Sequence, residues 1–169
     1  MKEEKMTKLL RELIRNSKRS DRELAKAIGA SQPTVTRNRK LLEKYIRSYT
    51  VVPEFGKIGY EIVALTFAKS RAFSTEDMDK RVKEAHEWTL KHPNVIFASD
   101  GEGLGKDTVM ISIHRDYSRY AEFIREYTVK FAESASDVQS FIVSLKTGKL
   151  AKPFDLTYLS EDVDLANKT

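Results

Sequence analysis

The sequence predicts an α+β chain, a winged helix-turn-helix followed by a ferredoxin-like βαββαβ domain, and three observations carry that expectation. Residues 20–44 hold two short amphipathic segments joined at a glycine. From residue 61 onward, apolar residues recur alternately at strand and helix period, in the order β-α-β-β-α-β. Residues 1–52 carry 14 Lys/Arg against 6 Asp/Glu, a balance of +8, while the rest of the chain stands at −3 within a net charge of +5.

The first helix is marked by Met6, Leu9, Leu10, Leu13 and Ile14, whose spacing predicts about three turns. Ser20 with Glu23 forms a capping box: the hydroxyl accepts from the third backbone N–H and the carboxylate reaches back to the first. Leu24, Ala25 and Ile28 give the second helix its apolar face. Gly29 supplies a left-handed turn without a Cβ clash. Ser31 caps the third helix, and Pro33 falls in its first turn, where a missing N–H costs nothing. That helix turns Val35 and Leu42 inward and Thr34, Thr36, Arg37 and Lys40 away from them. A basic, hydroxyl-rich second helix of this kind fits a DNA major groove. An ordinary helical hairpin with a solvated face would share the spacing. The coincidence with the basic segment favours the groove-reading alternative, since phosphate contacts release counterions.

Residues 45–52 are rich in aromatic and β-branched types and predict an extended, wing-like strand that would set Arg47 against a DNA backbone. Pro53 ends it, and 54–59 predicts a turn or short helix. The sheet domain then follows: strands at Ile62–Ala68, Val95–Ser99, Thr108–Ile113 and Val138–Leu145, with two helices between them. One helix is capped by Ser74 or Thr75 and striped by Met78, Val82, Ala85 and Trp88. The other opens at Ser118 and carries Tyr120, Phe123, Ile124, Tyr127 and Phe131. Aromatic stripes of this kind can line a pocket, but they serve more often as sheet-facing core. The predicted organisation is 1–52 helix-turn-helix, 53–60 linker, 61–149 sheet domain and 150–169 extension. With both helices on one sheet face, the other face is left to pair with a second copy. The extension predicts an edge strand at Phe154–Leu159 and a mobile acidic end at Glu161, Asp162 and Asp164.

Composition excludes several functions. There is no cysteine, hence no disulfide, thiolate metal site or cysteine nucleophile. No apolar run reaches membrane-spanning length, and Met-Lys-Glu-Glu-Lys lacks a signal peptide's apolar segment, so a cytoplasmic protein without membrane partners is expected. His86, His92 and His114 lack metal-ligand spacing; His92 is accounted for by a helix C-terminus. No nucleophile elbow or other catalytic setting is present, so neither an enzyme nor a metal or cofactor is expected. Gly101, Gly103 and Gly105 precede a strand, whereas a dinucleotide fingerprint needs a helix there. Thr147-Gly148-Lys149 lacks the upstream glycine of a P-loop.

Arg22-Glu23-Leu24-Ala25-Lys26-Ala27-Ile28-Gly29, Ser31-Gln32-Pro33-Thr34-Val35-Thr36-Arg37, Leu42-Glu43 and the junction Gly59-Tyr60 together resemble the Lrp/AsnC, or feast/famine, transcriptional regulators. The resemblance spans roughly residues 6–148. It implies a sequence-specific regulator that binds double-stranded DNA and forms a homodimer, or a higher oligomer, through the sheet domain. An amino acid or similar small effector is implied there as well. On that pattern Gln32, Thr34, Thr36, Arg37 and Lys40 are the DNA-reading positions. Two departures stand out. Arg39, four residues after Val35, occupies a position usually apolar, and either snorkels or turns toward DNA. The loop Asp100–Asp107 is longer than usual in the region implicated in effector binding, which makes Asp100, Gly101, Gly103 and Asp107 the candidate effector residues. The competing function from another class is a metabolite-binding or assembly module whose hairpin binds a protein. RNA binding finds no RNP-like strand to support it.

Overall fold

The computed structural model describes residues 2–71, 75–146 and 150–165. They fall into two compact units, one joining the chain up to Val52 with the segment from Lys152 onward, the other running Pro53–Ala151.

In the first unit, α1 spans Lys2–Arg15, α2 Asp21–Ile28 and α3 Gln32–Leu42. The first helix is thus nearer four turns than three. Leu9, Leu10, Leu13, Leu24, Ala25, Ile28, Val35 and Leu42 share one buried core, and Leu9, Leu24, Val35 and Leu42 are wholly inaccessible. The capping box forms on both sides: Glu23 N–H donates to Ser20 Oγ at 3.3 Å, and Ser20 N–H donates to Glu23 Oε2 at 2.8 Å. Gly29 adopts φ 62°, and its N–H closes onto the Ala25 carbonyl. Ser31 holds the N-cap position without a side-chain cap, since its hydroxyl pairs with Thr34 Oγ1 at 2.9 Å instead.

The wing-like strand does not form. After a short 3-10 helix at Glu43–Tyr45, residues 46–54 carry no strand. β-propensity needs a neighbouring backbone to pair with. None is supplied, and Ile46 packs on the helical core instead.

The edge strand expected at Phe154–Leu159 is absent too. Its place is taken by a 3-10 helix, Thr157–Glu161, which packs on α1. Asp155 Oδ1 accepts the Thr157 N–H at 2.8 Å, a local bond that starts a turn rather than a strand. The acidic end is held. Arg15 pairs with Glu161 at 2.6 Å, Arg11 Nε donates to the Val163 carbonyl at 2.8 Å, and Leu165 N–H donates to Thr7 Oγ1 at 3.1 Å. Val163 and Leu165 pack on the helical core, and Ser160 is buried.

The second unit contains β1 (Ile62–Ser70), α4 (Thr75–Lys91), β2 (Val95–Gly103), β3 (Lys106–His114), α5 (Tyr117–Lys130) and β4 (Ala135–Ser144). All strand pairs are antiparallel in the order β2-β3-β1-β4. This is the split βαββαβ topology. The α5 cap is Asp116, which accepts the Arg119 N–H, rather than Ser118. Ser74, the alternative α4 cap, lies outside the described residues, as does Thr147-Gly148-Lys149.

Register sorts the sheet into two faces. Ile62, Ala64, Thr66 and Ala68 of β1 lie opposite His114, Ser112, Met110 and Thr108 of β3. Met110 joins Trp88, Phe123 and Phe131 in the core beneath the helices, so that set faces inward. The aromatic stripe is therefore core, although Val82 of the predicted α4 stripe is 56% exposed. His114 lies on the same face, 2.8 Å from Ser112 Oγ and 5.0 Å from the Phe123 ring, and burial pushes its pKa down. His92 does close the α4 C-terminus, with Nδ1 2.7 Å from the Trp88 carbonyl oxygen and its ring 3.8 Å from the indole. The alternate residues Val63, Leu65 and Phe67, with Val109, Ile111, Phe141, Val143 and Phe97, form an apolar opposite face. Phe141 is 68% exposed and Phe97 50%.

The structure predicts that the C-terminal segment stabilises the helical unit. Deleting residues 152–169 should cost on the order of 1–3 kcal/mol there, from lost packing and hydrogen bonds. Trp88, the single tryptophan, lies in the sheet unit. Urea should therefore melt the 222 nm helical signal earlier while the tryptophan fluorescence transition stays put; two unchanged transitions would refute the role.

Candidate nucleic-acid interface

Burial of Val35, Asn38 and Leu42 sets the rotation of α3. At 100° per residue, Gln32, Thr36, Lys40 and Arg37 then share one arc on the far side, and all four are exposed. Thr34 lies outside that arc, half-buried beside the core, with its hydroxyl engaged by Ser31. Arg47 is exposed on irregular chain after α3. Arg37 and Lys40 form no ion pair among the described residues, whereas Arg15, Arg19 and Arg39 each do. Two unneutralised cations beside a glutamine on one helix face suit phosphate and base edges alike.

Arg39 neither snorkels freely nor points to solvent. Its Nη1 donates to Asp21 Oδ1 at 2.7 Å, its Nη2 to the Ser17 carbonyl at 3.2 Å, and it lies 5.9 Å from the Tyr49 ring centroid. Thr36 Oγ1 donates to the second Asp21 oxygen at 2.6 Å and lies 3.2 Å from the Gln32 carbonyl. The Thr36 hydroxyl and then Arg39 hold the Asp21 carboxyl below the usual carboxylate range, against the opposing pull of partial burial. Sequence reasoning missed Asp21. The available signal was Arg39 itself, because a guanidinium at an apolar position requires a nearby acceptor. Asn38, 3% exposed, leaves its Oδ1 without a partner, and nothing else in the structure explains that cost.

The candidate effector residues do not sit in a loop. β2 and β3 run on to a two-residue turn, Leu104 and Gly105, at φ 54° and 70°. Positive φ at both positions gives the tight primed turn that matches strand twist. Gly103 pairs with Lys106 across it, so the glycine-rich stretch continues a hairpin with a register shift after Asp100. Asp100, Gly101 and Gly103 are exposed on the edge strand β2. Asp107 is committed elsewhere: its carboxylate accepts the Ser70 N–H at 2.9 and 3.0 Å and the Ser70 hydroxyl at 3.0 Å. Among the described residues no three His, Asp or Glu groups could hold a metal ion, and no helix is long and apolar enough to cross a membrane.

Residues 3–45 match the family model of winged helix-turn-helix DNA-binding domains. No curated protein matches the chain by sequence. Solved structures share its fold. The transcriptional regulator NMB0573 from Neisseria meningitidis, in complex with L-Met, aligns with a TM-score of 0.74 at 21% identity over 88% of this chain and 91% of that one. An AsnC family transcriptional regulator from Agrobacterium tumefaciens gives 0.72 at 21% identity, over 92% and 97%. E. coli AsnC gives 0.68 at 14%, over 89% and 96%. These neighbours are Lrp/AsnC regulators, and the fold of this chain is theirs: a helix-turn-helix followed by a ferredoxin-like domain.

The Asp21 cluster makes an acid-range prediction. A carboxyl whose pKa is depressed on folding stabilises the protein above its unfolded value of about 3.9, and the contribution is lost as pH falls through the folded value. Between pH 5 and pH 3 the wild type should therefore lose more stability than Asp21→Asn. Urea titrations giving parallel pH profiles for the two would contradict it.

Proposed function

We propose that this protein is a DNA-binding transcriptional regulator of the Lrp/AsnC kind, acting by binding rather than by catalysis. The observation that carries the reading is the solvent-facing arc of α3, on which Gln32, Arg37 and Lys40 stand on a helix-turn-helix within the basic end of the chain. Thr36 stands within the same arc, and Arg47 is exposed on the chain after α3. A cation on a phosphate fixes position and adds salt sensitivity, whereas a bidentate contact to a guanine edge adds about 1–3 kcal/mol of discrimination.

The apolar sheet face supports a homodimer. Val63, Leu65, Phe67, Ile111 and Phe141 would bury against the same residues of a second copy, and a two-fold pair would place two recognition helices on a palindromic site. Assembly beyond a dimer would use other surfaces. An amino acid effector, like the L-Met of the Neisseria relative, belongs to this reading. The hairpin residues Asp100, Gly101 and Gly103 support an effector role only in so far as they stay exposed. Asp107 would have to release Ser70 to take part.

Two measurements test the proposal. Selection from genomic fragments should enrich one palindrome with half-sites about 10 bp apart, or a multiple of that. Arg37→Ala with Lys40→Ala should abolish the preference and flatten the dependence of log K on log salt by about 0.9 for each lost phosphate contact. Unchanged specific affinity would remove α3 as the reading element. Separately, Phe141→Glu should shift the sedimenting species from dimer to monomer, and a wild type already monomeric at micromolar concentration would end the dimer assignment.

A further inference from the structure

We propose that Asp21 is a positioning residue that withholds Arg39 from DNA, occupying with its own carboxylate the guanidinium that would otherwise take a backbone phosphate. The inference rests on the DNA-binding reading above and specifies which groups of α3 are left to make contact.

Both oxygens of Asp21 are in use, one on Arg39 Nη1 at 2.7 Å and the other on Thr36 Oγ1 at 2.6 Å. Arg39 spends its other terminal nitrogen on the Ser17 carbonyl, and its side chain is only about a quarter exposed. The acid, the hydroxyl and the guanidinium thus tie the first residue of α2, the middle of α3 and the chain before α2 into one cluster. Asp21 also sits in the first turn of α2, where a negative charge is favoured by the helix dipole. A phosphate approaching Arg39 would have to break that ion pair and strip Asp21 of a partner it needs. Arg39 stands about 60° from Thr36 and 20° from Gln32 around the helix, so angular position does not keep it from DNA. What keeps it away is the prior claim of Asp21. Thr36 is fixed by the same carboxylate, so its hydroxyl proton is already committed. Contact then falls to Gln32, Arg37 and Lys40, on a helix locked in place before DNA arrives.

The test uses four full-length proteins: wild type, Asp21→Asn, Arg39→Ala and the double variant. Each is titrated with a mixed-sequence duplex and with the selected operator over a range of salt. Arg39→Ala alone should leave the slope of log K against log salt unchanged. Asp21→Asn should steepen it by about 0.9, one extra phosphate, and the double variant should return to the wild-type slope. A slope lowered by Arg39→Ala alone would overturn the proposal, because Arg39 would then already touch phosphate. Equal slopes for Asp21→Asn and the double variant would overturn it as well. Thermal melts without DNA should show non-additive effects of the two substitutions, and additivity would remove the clamp. If the wild type retains no duplex at any salt, the DNA reading and the competition fail together, while the melts still report whether the clamp exists.

Discussion

The helical unit depends on one constraint, the rotation of α3 about its own axis. Val35 and Leu42 are wholly buried among residues of α1 and α2, and buried Asn38 lies within about 60° of both in azimuth. With 100° between residues, that anchoring leaves no freedom over what the helix offers outward. Gln32, Thr36, Lys40 and Arg37 are exposed because the core has claimed the other side. The same rotation brings Arg39 beside Asp21, so the proposed reading surface and the proposed clamp both follow from the packing of Val35 and Leu42.

What the sequence made legible was whatever is decided locally. The Ser20–Glu23 capping box, the left-handed Gly29 and the apolar spacing of α1 to α3 depend on neighbours three or four residues away, and all formed. The strand order followed from alternating periods. The misreadings have a common cause. Residues 45–52 and 154–159 have side chains that suit strands, but strand formation needs a partner backbone that local composition does not specify. The first found a helical core for Ile46. The second, with Val163 and Leu165 following, found α1, some 150 residues away. The glycines at 101, 103 and 105 suggest a loop, yet cross-strand pairing with β3 extends the ladder to a turn at Leu104 and Gly105. For the candidate site, the exposed cations were readable from position. The engagement of Thr36 and Asp107 was not, because Asp21 and Ser70, which claim them, were not singled out by the spacing; Thr34 was claimed by Ser31, read from the sequence as a backbone cap.

The sheet shows how a small register detail divides two functions. Because side chains alternate with period two, Met110 and His114 are buried under α5 while Val109 and Ile111, one residue away, face outward. The inner face is sealed by Trp88, Phe123 and Phe131. The outer face is apolar and exposes Phe97 and Phe141, and it is the surface through which the proposed homodimer would form.

Charge acts on the helical unit in the same direction. Its excess of basic residues is not spread evenly. Arg15 is spent on Glu12 and Glu161, Arg19 on Glu12, Arg11 on the Val163 carbonyl and Arg39 on Asp21. The C-terminal segment thus consumes positive charge on α1, while Asp21 consumes it at the flank of α3. Among the described residues Arg37 and Lys40 form no ion pair, and both lie on the arc that burial of Val35 turns outward. A uniformly basic domain would bind any polyanion in many poses. Internal acids that neutralise the sides while sparing one face would give the proposed DNA-binding unit a preferred docking direction, and orientation has to be fixed before any base edge can be read.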